Sequence, residues 1–115
     1  GIMSNQSQFE ELLDICPSAQ LLEEGGKPVV YLPGFVLQIG EEAHTRDLLL
    51  VPWQHSGYAC RLFFSAPVPR RVANWKPHTL LNRSWHTPSD NVENSIGWRS
   101  QLLKHISILD QTVSG

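Results

Sequence analysis

The stretch from Trp75 to Trp98, WKPHTLLNRSWHTPSDNVENSIGW, constrains this chain more than any other. It holds three of the four tryptophans and two of the five histidines, set among Pro, Ser, Asp and Asn. It is too polar and too broken for a plain core element, and too rich in large rings for a plain linker. Segments of this make-up are pinned across a sheet by their rings while their polar groups face a cleft or solvent. The rest of the chain must then supply the sheet.

The residues before it read as that sheet, preceded by a helix. Ser7-Gln8-Phe9-Glu10 fits a capping box, and Phe9, Leu12, Leu13 and Cys16 follow on one helical face, with Pro17 as the stop. Ala19 to Glu24 reads as a first strand, closed by Gly25-Gly26. Val29 to Leu32 continues through the Pro33-Gly34 turn or bulge signal into the alternating Phe35-Val36-Leu37-Gln38-Ile39. Gly40 to Thr45 reads as a polar hairpin loop carrying His44. Leu48 to Val51 is a continuous apolar run of strand length, and Cys60 to Ser65 is a further strand after the turn at Gln54 to Gly57.

After the tryptophan-rich stretch, in which Leu80 and Leu81 read as anchors in a helical turn, the chain ends on its clearest helix. Trp98, Leu102, Ile106, Leu109 and Val113 form one apolar stripe, with Ser95 as a candidate cap. The short links between strands favour antiparallel neighbours. The expected architecture is α+β in two layers: an N-terminal helix, a four-stranded antiparallel meander, an irregular segment and a C-terminal helix packed on the sheet. At 115 residues it is expected as a single domain, 1–115, with its core at about 7–113.

A net charge of -2 argues against a nucleic-acid-binding face, and Arg70-Arg71 is too short a basic cluster to reverse that. No apolar run approaches a membrane span. The opening GIMSNQSQ has neither a basic n-region nor an apolar h-region, and the two cysteines, Cys16 and Cys60, form no regular spacing. A cytoplasmic protein with reduced thiols is the expectation.

Candidate chemistry is sparse. Arg83, Trp85, His86, Ser89 and Asp90 include the residue types of a nucleophilic triad, but they lie nearly adjacent and lack a strained serine elbow. Ser89 and Asp90 after Pro88 suit a local turn better. His44, His55, His78, His86 and His105 form no HxH, HExxH or HxxxH pattern, so neither a metal nor another cofactor is expected. His105 flanks the stripe of the last helix and reads as a packed or boundary residue. Cys60 would need a nearby cation or helix N-terminus to become a nucleophile, and its neighbour Arg61 points to the opposite face of a strand. The open candidates for catalysis are thus Cys60, His86, His78 and Asp90. Trp53, Trp75, Trp85 and Trp98 could line a groove or fill a core. Periodicity places Trp98 in the core, and Trp75 beside Lys76-Pro77 reads as the most exposed.

One series of short motifs carries a resemblance. In order, they are Leu32-Pro-Gly-Phe35, Asp47-Leu-Leu-Leu-Val-Pro52, Ser56-Gly-Tyr58, Leu62-Phe-Phe64, Pro67-Val-Pro-Arg70, Leu81-Asn-Arg-Ser-Trp-His86 and Trp98-Arg99. Their succession from about Val30 to His105 resembles the ubiquitin-conjugating (E2) fold, and more narrowly a bacterial E2-like family that accompanies prokaryotic ubiquitin-like proteins. The resemblance implies an E2-like two-layer fold and a ubiquitin-like protein or an E1-like adenylating enzyme as partner. The candidate binding residues are Trp75, Arg83, Trp85, His86 and Tyr58.

Two departures qualify it. The GYP-type turn is Gly57-Tyr58-Ala59, without the proline. The window that should carry the conjugating thiol, Pro67 to Ser95, holds no cysteine. The expected role is therefore a binding or adaptor component of a ubiquitin-like pathway. The alternatives are an active conjugating enzyme using Cys60, or a small hydrolase or metal-dependent enzyme using His78 and His86.

Overall fold

The computed structural model describes residues 5–39, 41–53, 60–68, 75–88, 92–93 and 95–114, with side chains for all of these except 39 and 109–114. The order is α1 (Asn5–Leu13), β1 (Gln20–Glu24), β2 (Lys27–Ile39), β3 (Glu42–Val51), β4 (Arg61–Phe64), β5 (Lys76–Leu80), β6 (Arg83–Thr87) and α2 (Trp98–Ser114). All pairings are antiparallel, in the spatial order β1-β2-β3-β4-β6-β5. The α+β class and the meander β1 to β4 are as expected. Among the described residues the sheet has six strands rather than four, because the tryptophan-rich stretch is not wholly irregular.

That stretch contains a hairpin. Lys76 pairs with Thr87, His78 with Trp85 and Leu80 with Arg83. Its two-residue turn, Leu81-Asn82, has φ of 53° and 57°. Positive φ at both positions matches the twist of the flanking strands. Asn tolerates that conformation, whereas Leu strains in it. Leu80 and Leu81 are thus a strand end and a turn, not a helical turn.

Other local expectations shift for identifiable reasons. β3 begins at Glu42, so His44 sits in a strand opposite Leu37 instead of in a loop. The helix α1 is already formed at Asn5, so Ser7 lies inside it rather than at its start, while Glu10 accepts a 3.4 Å hydrogen bond from Gln6 one turn earlier. The helix closes at Leu13, ahead of Pro17. The Leu12 carbonyl takes the N–H groups of Ile15 and Cys16 in a final turn. Cys16 therefore lies beyond the helix, though still buried. Ser95 donates to Glu93 at 3.0 Å and caps no helix. The first N–H of α2, at Trp98, is taken at 3.1 Å by Gln8 Oε1 from α1.

Two apolar cores lie on the two sheet faces. Alternation along each strand divides them. Val30, Leu32, Leu48, Leu50, Leu62 and Phe64 meet Leu12 of α1 and Trp98 and Leu102 of α2. Val29, Leu49, Val51 and Phe63 point the other way and pack with Leu80 and Trp85 of the hairpin. The unbroken Leu48 to Val51 run follows directly, since a strand covered on both faces has no polar side.

The second core is covered because the sheet curls. β1 and β6 are four strand spacings apart in the sheet order, about 19 Å if it were flat. Yet Leu81 N–H donates to Glu24 Oε2 at 3.0 Å. Arg83 of β6 likewise reaches Tyr31 of β2 and Asp47 of β3. The β5–β6 hairpin therefore folds back over the face that the helices leave open.

Candidate functional site

The chemistry-bearing residues fall into three separate places. The first is a polar hub on the curled face. Gly34 sits in a register shift of β2 between Leu32 and Phe35, at φ 61°, a left-handed conformation that glycine adopts without strain. The bulge turns the Gly34 N–H toward β3, where Asp47 Oδ1 accepts it at 2.9 Å. The other carboxylate oxygen takes Arg83 Nη2 at 2.9 Å, and Arg83 Nη1 donates to the Tyr31 hydroxyl at 3.3 Å. The guanidinium lies 4.6 Å from the centre of the Trp85 ring, and Tyr31 meets that ring edge-on at 6.1 Å. Trp85 is closed below by its indole N–H, which donates to the Leu80 carbonyl at 3.1 Å. The Gly34 N–H, then the Arg83 side chain, hold the Asp47 carboxyl below its ordinary value. Asp47 in turn holds the Arg83 guanidinium above its own. This is a structural clasp, with its charges already paired. Asp47 and Tyr31 were not among the candidate site residues. The Asp47 signal was available in Asp47-Leu-Leu-Leu-Val51, where a lone carboxylate stands at the head of the apolar run within β3.

The second place surrounds Cys60. The residue precedes β4 and follows the alternation of Leu62 and Phe64, so its sulfur faces α2. It is 0 % exposed. The thiol donates to the Val92 carbonyl at 3.3 Å, and Glu93 O stands 3.8 Å away. The imidazole it meets is His105 Nε2 at 3.6 Å, from a side chain only 3 % exposed. Burial pushes the thiol up to about 11, against the direction a nucleophile needs. Arg61, the next residue, lies on the other face beside the Phe63 ring. Cys16, the second thiol, is buried as well and points at the Pro33 carbonyl at 3.9 Å.

The third place splits the remaining candidates. His78 is paired with Trp85 and sets its ring edge-on to Phe63 at 5.6 Å, so it belongs to the curled face. Burial, then the charges of Arg61 and Lys76, lower its basicity. His86 is the next residue after Trp85 and lies opposite Phe64, on the helix-covered face. The two histidines are therefore on opposite sides of one sheet. Trp75 is half-buried, with its ring edge-on to Phe64 at 5.2 Å, rather than standing out from the surface. Trp85 and Trp98 are core residues. The proposed binding set thus divides, with Arg83 and Trp85 on one face and Trp75 and His86 toward the other. Tyr58, Asp90, Ser89 and His55 lie outside the described residues.

Among the described residues no three His, Cys, Asp or Glu side chains gather as a metal would require. No helix among them is long and apolar enough to cross a membrane. Compared with family models, curated proteins and solved structures, the chain matches none.

Proposed function

We propose that this chain is a protein-binding domain of E2-like character that works without thiol chemistry, as a binding or adaptor component of a prokaryotic ubiquitin-like modification pathway. The observation that carries the non-catalytic part is the state of Cys60. The window from Pro67 to Ser95, where the E2 thiol belongs, has no cysteine, and Cys60 is shut beneath α2 with its thiol raised by burial. A thioester on that sulfur would need both a thiolate and room for an incoming chain end.

The E2-like part rests on the ordered motifs. Of these motifs, four fall at joints among the described residues: Leu32 to Phe35 is the β2 bulge, Asp47 opens the buried run of β3, Arg83 to His86 lies in β6 (Arg83–Thr87), and Trp98 opens α2. The six-stranded curled sheet is larger than the four-stranded one the resemblance implies. The partner in this reading is a ubiquitin-like protein or an E1-like adenylating enzyme.

The test incubates purified protein with an E1-like adenylating enzyme, its ubiquitin-like protein and ATP. The expected result is a non-covalent complex with no covalent species that dithiothreitol removes. A reducible conjugate would sink the proposal.

One observation favours a second reading, a conjugating enzyme using Cys60. His105 stands 3.6 Å from the sulfur, close enough to act as its base. The partner imidazole would then be His105 instead of His86 or His78. A Cys60→Ser variant that keeps full partner binding while a wild-type conjugate disappears would establish this reading over the first.

A further inference from the structure

We draw no further inference here: the strongest candidate, the buried side-chain cluster of Cys60 and His105 between the start of β4 and α2, belongs to the site already described, and among the described residues no third His, Cys, Asp or Glu joins it to make a metal or reactive centre.

Discussion

Replacing Asp47 by Asn should loosen the clasp that holds the β5–β6 hairpin over the curled face. Asn keeps an oxygen for the Gly34 N–H but loses the charge facing Arg83. A hydrogen bond to a charged group is worth about 1.5–3 kcal/mol when well buried, and an exposed ion pair about 0–1 kcal/mol. The two side chains are 31 % and 40 % exposed, so screening brings the expected loss to about 1 kcal/mol. Asp47→Ala also strands the Gly34 N–H and should cost about 2 kcal/mol in all.

Urea denaturation followed by tryptophan fluorescence measures both. The pH dependence has a definite sign. The carboxyl titrates below its ordinary 3.8 in the fold, so its contribution is complete above 3.8 and fades as pH falls through the lower folded value. Wild type should therefore lose stability in acid more steeply than Asp47→Asn. If Asp47→Asn matched wild type at pH 7 and also followed the same acid limb, the clasp would contribute nothing and the reasoning would fail.

The other predictions address separate joints of the fold. Gly34→Ala should cost about 1–2 kcal/mol in the same assay through backbone strain alone, because φ is 61° and a Cβ there would meet no atom within 4 Å. Trp85→Ala should cost about 3–5 kcal/mol, since it removes the ring that Tyr31, Arg83 and the Leu80 carbonyl all hold, and amide exchange should speed up in β5 and β6 before β2 and β3. Gln8→Ala should cost about 1 kcal/mol, the worth of a helix cap, because it frees the Trp98 N–H.

The parts of this fold governed by local periodicity could be read directly. The Trp98, Leu102 and Ile106 spacing placed α2 on the sheet, and Trp98 and Leu102 are indeed buried there. The Leu48 to Val51 run marked a strand at the centre. The hairpin β5–β6 was harder because its turn is Leu81-Asn82, with no glycine and a leucine held at positive φ. Lys76-Pro77 also looked like a loop, although Pro is admissible on an outermost strand. The second apolar core followed from that omission, since without the hairpin one sheet face had no cover. Side-chain pairs between distant strands, such as Asp47 with Arg83 and Cys60 with His105, have no local signal. They depend on how far the sheet curls and where α2 crosses it.

The account turns on whether Cys60 is available for chemistry, and native-state alkylation tests it most directly. In a Cys16→Ser background, iodoacetamide labelling of Cys60 at pH 8 would be followed by mass spectrometry, with the urea-unfolded protein as reference. A thiol 0 % exposed and raised to about 11 should label at least a hundredfold more slowly when native, and only through opening of α2. Native labelling as fast as in the unfolded chain would mean an accessible thiolate, and a domain working without thiol chemistry would no longer be tenable.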